Sequence, residues 1–198
     1  MTDREVLAFD VYGTLVDPIA VSSELDLVLG GSDGAEVARL WRLKQLEYSF
    51  RLTAMGHYED FRWVTSHALD FALSSTGADL PGDQTRPLIG LYDHLPPFPD
   101  AVSALRALAG LGVRARGALQ RQPWLAVPIT RIRLVTCNAF DSVGASAAGM
   151  RTAWVNRSAA PFDTIGAQPD LTLPALDRGP AASSRPLRSR QSPGTRSG

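Results

Sequence analysis

The sequence predicts an α/β fold in which a parallel sheet is interrupted, after its first strand, by a helical insertion. Residues 6–9 form a short apolar run of the kind that is buried in parallel sheets, and residues 132–136 form a second such strand. Between them, residues 18–97 are mainly helical in pattern. Because open α/β sheets bind ligands beyond the carboxyl ends of their strands, we expect this insertion to cover a functional site.

Three helices are expected at the start of the insertion, over residues 20–29, 33–51 and 58–73. Asp33 and Glu36 have the spacing of a capping box, which would begin the second helix. In the third helix the apolar side chains recur every three or four residues and therefore lie on one face. The core of a small helical bundle is the simplest explanation of such faces.

The chain returns to the sheet through a proline-rich segment at residues 95–100. Asp100 is placed to cap the helix that follows this segment. After the strand at residues 132–136, a helix over residues 142–148 and a strand over residues 152–156 complete a βαβ pattern. This order of elements predicts parallel pairing of the strands.

These elements divide the chain into three parts. We expect a discontinuous α/β core of residues 1–17 and 98–176 that is truncated around residues 113–131, a helical cap of residues 18–97, and a disordered tail of residues 177–198. The tail is rich in Ser, Pro, Gly and Arg and nearly lacks large apolar side chains, so it cannot bury enough surface to fold.

Composition restricts the classes of function. The 198 residues are 44% hydrophobic and carry 20 acidic and 20 basic side chains, so no net charge would draw the protein to nucleic acid or to an anionic membrane. Cys137 is the only cysteine, which excludes internal disulfides and cysteine metal clusters and suits a reducing cytoplasm. We expect small-molecule chemistry, with no membrane span, no metal and no cofactor.

Asp10 is the leading candidate for a catalytic group, because it stands where the apolar strand breaks into a Gly/Thr turn. A carboxylate in that place would point into the site and suits a nucleophile. The alternative is a structural Asp that caps the turn. Residues 7–17 closely resemble the first motif of the haloacid dehalogenase superfamily, in which the corresponding Asp attacks the substrate and forms a covalent ester or acyl phosphate.

The position of Tyr12, two residues after Asp10, distinguishes the branches of that superfamily. Its phosphatases usually carry a second Asp at this position, which protonates an alkoxide leaving group. A halide is a weak base and leaves without a proton, so it needs cationic or N–H donors around it instead. The motif therefore favours carbon–halogen cleavage, and a phosphatase is the less favoured alternative.

Residues 39–48 resemble the first cap helix of type II L-2-haloacid dehalogenases. This resemblance implies that Arg42 binds the leaving halide, and that Tyr12, Leu46 and Phe61 enclose the alkyl group of the substrate. Arginine suits the task because it stays charged and presents several donors to an anion. The alternative is a solvated Arg on an amphipathic helix.

Residues 134–141 resemble the final acidic motif of the same family. The resemblance implies that Asp141 lies close to Asp10 and helps to position or activate the water that hydrolyses the ester. The side chains that would support it or contact the substrate are Thr136, Asn138 and Phe140, the last of which replaces a more usual Trp. Asn138 or Asp141 could also cap the following helix, and the two interpretations are compatible.

Two features of the family have no counterpart in the sequence. One is a second strand that ends in Ser or Thr followed by Asn, and the other is a Lys that pairs with the nucleophile, beside a Tyr. Residues 113–131 contain no Lys, Tyr, Ser or Asn, and the single lysine, Lys44, lies two residues from Arg42. The Arg-, Ala- and Pro-rich segments 114–131 and 178–198 are what out-of-frame reading of a GC-rich gene would produce.

The sequence thus predicts a cytoplasmic, Rossmann-like hydrolase that removes halide from short 2-haloalkanoic acids through an aspartyl ester. Its expected partner is a small halogenated carboxylic acid, with no nucleic acid or membrane, and the resemblance leaves a homodimer open. Because two family motifs are absent, a second hypothesis stays open. In it the protein is a noncatalytic remnant of the family that acts at most as a binding or dimerising module.

Overall fold

The computed structural model describes residues 5–31, 33–78, 80–110, 116–117 and 127–178. The strands, in chain order, are β1 (Val6–Phe9), β2 (Arg116–Gly117), β3 (Ile132–Thr136), β4 (Arg151–Val155) and β5 (Leu171–Leu173). The helices are α1 (Ser22–Leu29), α2 (Gly34–Ala54), α3 (Phe61–Thr76), α4 (Gly82–Leu91), α5 (Pro99–Gly110) and α6 (Ala139–Ala147). Single 3₁₀ turns cover Ile129–Arg131 and Leu176–Arg178.

The five strands form one parallel sheet in the order β2-β1-β3-β4-β5. This arrangement confirms the predicted α/β fold with its parallel sheet. The pairing of β1 with β3 begins at Val6 and Ile132, and the backbone N–H of Asp10 extends it by donating to the carbonyl of Val135 at 3.0 Å. The carboxyl ends of β1 and β3 therefore lie side by side.

Buried apolar side chains form two clusters. One joins helices α1 to α4 and the chain after them, and its largest fully buried members are Leu25, Val37, Trp41 and Leu69. The other joins the sheet to α5, with members such as Phe9, Ala104, Val135, Val155 and Leu176. The two clusters support the division into a helical cap and a sheet core, whose residue boundaries stay a prediction.

The start of α2 differs from the expected capping box. Asp33 occupies the N-cap position, but its side chain makes no capping hydrogen bond. Asp26 of α1 accepts from the backbone N–H of Gly34 instead, at 2.8 Å. A Cβ atom on Gly34 would lie 2.4 Å from the carbonyl oxygen of Ser22, so the cap comes from a tertiary contact that only glycine allows.

The beginnings of two further helices differ from their predicted positions. Helix α3 begins at Phe61 rather than at residue 58, because Asp60 caps it by accepting from Trp63 N at 2.7 Å. Asp100 was expected to cap a helix, but it lies inside α5, where its carboxylate bonds to Arg157. Helix α6 begins at Ala139 directly after the β3 turn rather than at residue 142.

The expected truncation around residues 113–131 and the expected disorder of residues 177–198 lie almost wholly outside the described residues. Among the helices that are described, none is long and apolar enough to cross a bilayer.

Candidate active site

Asp10 follows β1 directly, and both of its carboxylate oxygens accept hydrogen bonds. Oδ1 accepts from Val11 N at 2.7 Å. Oδ2 accepts from Thr14 Oγ1 at 2.7 Å, from Asn138 Nδ2 at 2.8 Å and from Thr136 Oγ1 at 3.3 Å. These four donors are uncharged, and two of them come from β3 and the turn after it. The carboxylate is therefore held in one orientation by groups that a simple turn cap would not require.

The turn after Asp10 is shaped by Gly13 and Thr14. Gly13 has φ +86°, a conformation that favours glycine, and a Cβ atom there would lie 3.5 Å from Asn138 Oδ1. Thr14 is fully buried, and its hydroxyl accepts from Cys137 N at 2.8 Å while it donates to Asp10. One hydroxyl thus connects the turn after β1 to the turn after β3.

Asp141 lies in the first turn of α6 and shares a donor with Asp10. Asn138 Nδ2, which donates to Asp10, is also 3.1 Å from Asp141 Oδ2 and 3.4 Å from the carbonyl oxygen of Tyr12. Asn138 occupies the N-cap position of α6, yet its side chain makes no capping bond, and its amide nitrogen donates to the two carboxylates.

The environment of Asp141 raises its pKa to about 6. Burial is the largest cause, followed by the negative charge of Asp10, whereas the Asn138 amide and the Arg42 guanidinium act in the opposite direction. At neutral pH this carboxylate is mainly ionised but is basic enough to accept a proton from water.

Arg42 reaches the site from α2 and is partly buried rather than solvated. Its Nη2 lies 3.3 Å from the carbonyl oxygen of Tyr12, and its Nη1 lies 3.4 Å from Gln45 Oε1. Burial lowers the pKa of the guanidinium, and nearby groups that include the Asp10 and Asp141 carboxylates oppose that change. The cap therefore places a cation close to both acidic groups of the core.

Aromatic side chains surround the same region. Tyr12 stacks on Phe61 of α3, with ring centroids 4.8 Å apart, and its ring centroid is 5.9 Å from that of Tyr92. Phe140 packs edge-on against Phe50 of α2 at 5.4 Å, which joins α6 to the cap. Leu46 is partly buried on α2, one turn beyond Arg42 and so on the same face of the helix.

Lys44, the only lysine of the chain, makes its contacts elsewhere. Its Nζ pairs with Glu47 and lies 4.2 Å from the centre of the Phe71 ring. The expectation that this side chain faces away from Arg42 agrees with those contacts. Among the residues that the structure describes, no group of three or more His, Cys, Asp or Glu side chains is arranged to hold a metal ion.

The sequence did not lead us to predict that Arg157 lies beside the Asp10 turn. It stands two residues beyond β4 and hydrogen-bonds to the carbonyl oxygens of Gly13 and Thr14 at 3.3 and 2.8 Å. The sequence signal that could have found it is its position at the carboxyl end of a parallel strand, where side chains approach the site.

No protein-family model matches the chain. Among characterised proteins, it is 31% identical to the (S)-2-haloacid dehalogenase of Pseudomonas fluorescens, over 85% of this chain and 92% of that protein. It is 30% identical to haloacetate dehalogenase H-2 of Moraxella sp. (strain B), over 89% of this chain and 96% of that protein. That alignment runs over 217 residues, although the chain has only 198, so the relative contains residues that this chain lacks.

Solved structures agree with these relatives. The L-2-haloacid dehalogenase of Xanthobacter autotrophicus is similar with a TM-score of 0.79 and 25% identity, over 91% of this chain and 98% of that one. The same enzyme with chloropropionic acid covalently bound gives a TM-score of 0.81 at 24% identity, with equal coverage, which shows a shared fold.

Proposed function

The chain belongs to the 2-haloacid dehalogenase family, and from that membership we propose that it hydrolyses short 2-haloalkanoic acids through an ester on Asp10. The observation that carries the proposal is the fixed Asp10 carboxylate, which lies at the carboxyl end of a parallel strand, shares a donor with Asp141 and interacts with the charge of Arg42. Such a site would combine a nucleophile, a base and a cation that can stabilise an anion.

In the first step, an oxygen of Asp10 attacks C2 of the substrate from the side opposite the halogen. The new C–O bond forms as the carbon–halogen bond breaks, the halide leaves with the electron pair, and C2 is inverted. We assign the attack to Oδ1, because Oδ2 accepts three hydrogen bonds from the described residues and Oδ1 accepts one, that of Val11. The less occupied oxygen has the freer lone pair.

Arg42 would stabilise the departing halide. Its guanidinium keeps its charge when partly buried and has donors in several directions. Tyr12 and Phe61, which stack on each other, would cover the alkyl group together with Leu46 and Phe140. The aromatic wall would also exclude water from C2 until the ester has formed.

In the second step, water attacks the carbonyl carbon of the Asp10 ester. Asp141 would take a proton from this water, and Asn138 and Thr136 would hold the reacting groups in place. Collapse of the tetrahedral intermediate releases the 2-hydroxy acid, which takes up a proton, and restores the Asp10 carboxylate. These two steps require no metal and no cofactor.

The test is halide release from 2-chloropropionate by the full chain and by Asp10→Asn. Asp17→Asn is the matched control, because Asp17 lies in the same loop but its carboxylate accepts an exposed hydrogen bond from Ile19 N in its own turn. The proposal predicts release by the wild type and by Asp17→Asn and none by Asp10→Asn. Equal release by Asp10→Asn would overturn it.

A second candidate, a noncatalytic member of the family, has a specific observation in its favour. The chain's only ammonium side chain pairs with Glu47, so none reaches Asp10 to balance its charge. The alignment also contains residues of the relative that this chain lacks. Absence of halide release by folded wild type would support this second candidate.

We also propose that the protein is cytoplasmic and forms a homodimer. The single cysteine supports a reducing, cytoplasmic location, and the balanced charge argues against a nucleic-acid partner. Exposed apolar side chains on the cap, among them Leu43, Phe50 and Phe71, support a homodimer. Sedimentation of the full chain would test the last point, and a single monomeric species would contradict it.

A further inference from the structure

Arg157 connects three parts of the core that meet at the active site. Its Nη1 and Nη2 donate to the carbonyl oxygens of Gly13 and Thr14, in the turn after β1. Nη1 also lies 2.9 Å from Cys137 Sγ, in the turn after β3. We propose that Arg157 is a positioning residue that fixes the Asp10 carboxylate for attack by holding these two turns together, an inference that rests on the proposed function.

The guanidinium is itself firmly held. Asp100 of α5 binds it in a bidentate manner, with Nε to Oδ2 and Nη2 to Oδ1 both at 2.9 Å. Asp100 Oδ2 also accepts from Leu176 N at 2.9 Å, which fixes the carboxylate against the last described turn of the chain. The guanidinium carbon lies 4.2 Å from the centre of the Phe98 ring. These contacts hold the Arg157 guanidinium in one orientation, so it can in turn fix the positions of the turn residues that it contacts.

The effect reaches Asp10 through Thr14. The backbone carbonyl of Thr14 accepts from Arg157, while its buried hydroxyl donates to Asp10 Oδ2 and accepts from Cys137 N. A shift of this residue would weaken the shortest of the side-chain bonds to the nucleophile. The same shift would remove the connection between the two turns, so the carboxylate would lose its fixed direction relative to C2.

Only arginine can supply this set of contacts. Its planar fork serves a carboxylate with two donors while other N–H groups remain for carbonyl oxygens on the opposite side. A lysine keeps the charge but has three N–H donors on a single nitrogen, so it cannot reproduce the five contacts that the guanidinium makes with Asp100, Gly13, Thr14 and Cys137. Arg157→Lys therefore separates the geometry of the contacts from the charge.

Arg133 provides a matched control. It binds Glu5 in the same bidentate manner, with both N–O distances 3.0 Å, and donates to the carbonyl oxygen of Thr152 at 3.0 Å. Those partners lie at the amino ends of the strands, away from Asp10. Arg133→Lys thus disturbs an equivalent ion pair without touching the site.

The experiment compares kcat and KM for 2-chloropropionate in wild type, Arg157→Lys and Arg133→Lys. We expect kcat of Arg157→Lys to fall about 10- to 100-fold with KM changed less than about twofold, because binding contacts remain and alignment is lost. Arg133→Lys should keep the wild-type kcat. Equal loss of kcat in the two variants would overturn the proposal.

A second measurement does not need turnover. The amide resonances of Val11, which donates to Asp10, and Cys137, which donates to Thr14, report the two turns directly in NMR spectra. Both should shift in Arg157→Lys and stay in place in Arg133→Lys. If wild type releases no halide, these shifts alone decide, and unmoved resonances would overturn the inference. Should Arg157→Lys not fold, Asp100→Asn serves as the milder variant with the same expectation.

Discussion

The carboxylates of Asp10 and Asp141 accept hydrogen bonds from the same nitrogen, Asn138 Nδ2, at 2.8 and 3.1 Å. Each of the two amide hydrogens is thus available to one carboxylate. The charge of Asp10 also contributes to the raised pKa of Asp141. The negative charge of Asp10 therefore opposes the ionisation of Asp141, after burial, which is the larger cause.

The first prediction concerns the pH dependence of ester hydrolysis. Because Asp141 must be ionised to accept a proton, and its pKa is raised to about 6, kcat should increase as the pH rises through about 6. Asp141→Asn keeps the shape but cannot act as a base. Its kcat should be about 10²- to 10⁴-fold lower and should lack this limb of the profile. A retained limb would assign it to another group.

The second prediction concerns stability at the same residue. The pKa of Asp141 in the folded protein lies above its ordinary value of 3.8, so the folded state binds more protons between pH 4 and about 6. The contribution of Asp141 to the free energy of unfolding is therefore fully present below pH 4 and is lost as the pH rises through about 6.

Asp141→Asn removes that loss. After allowance for partial exposure we expect it to be more stable than wild type at pH 7 by about 1 kcal/mol, or about 2–4 °C in Tm, and equal to it near pH 4. Melting curves at the two pH values measure the difference. A variant that is less stable at pH 7 would contradict the assignment.

The third prediction concerns Arg42. Lysine keeps a positive charge but not the separate donors that reach Tyr12 and Gln45, so Arg42→Lys should lower kcat for halide release by about 10²- to 10³-fold. Arg39→Lys, at an exposed position of the same helix, should change it little. Titration of the two variants with chloride would show a weakened affinity only in the first. Equal chloride affinity would exclude Arg42 as the halide ligand.

The fourth prediction tests the close contact of α1 and α2. In Gly34→Ala the new Cβ atom would meet the backbone of Ser22 and Asp26, so we expect a loss of about 1–3 kcal/mol in the free energy of unfolding. Gly90 in α4 has open space around it, so Gly90→Ala should increase the free energy of unfolding by about 0.5–1 kcal/mol. Urea denaturation of both variants measures the contrast. A neutral Gly34→Ala would show that the helices are not in this contact.

The resemblance of residues 134–141 to a family motif was sufficient to predict that Asp10 and Asp141 lie together, and the shared donor Asn138 shows that they do. The sequence was also sufficient to predict helices α1, α2 and α3, whereas α4 was not predicted as a separate helix. It was insufficient at Asp33, where the expected local cap is replaced by Asp26 from another helix. The residues around position 33 show no local pattern that would predict a contact with another helix.

Arg157 could not be predicted for a similar reason. Its partners are Gly13, Thr14, Asp100 and Cys137, which are far apart along the chain and come together only after folding. A lone Arg after a strand has many structural explanations, and only the tertiary structure identifies the one that applies. The proposed positioning residue therefore depends on tertiary contacts, whereas the proposed reacting groups lie in recognisable local motifs.

The most direct measurement of the central claim is the mass of the peptide that contains Asp10 after reaction with 2-chloropropionate in ¹⁸O-labelled water. Hydrolysis of an aspartyl ester at its carbonyl carbon places the label in the Asp10 carboxylate, and a slow second step leaves the ester itself as added mass. The account predicts one of these two changes in wild type and neither in Asp10→Asn. Folded wild type that shows an unmodified Asp10 after prolonged reaction would contradict it.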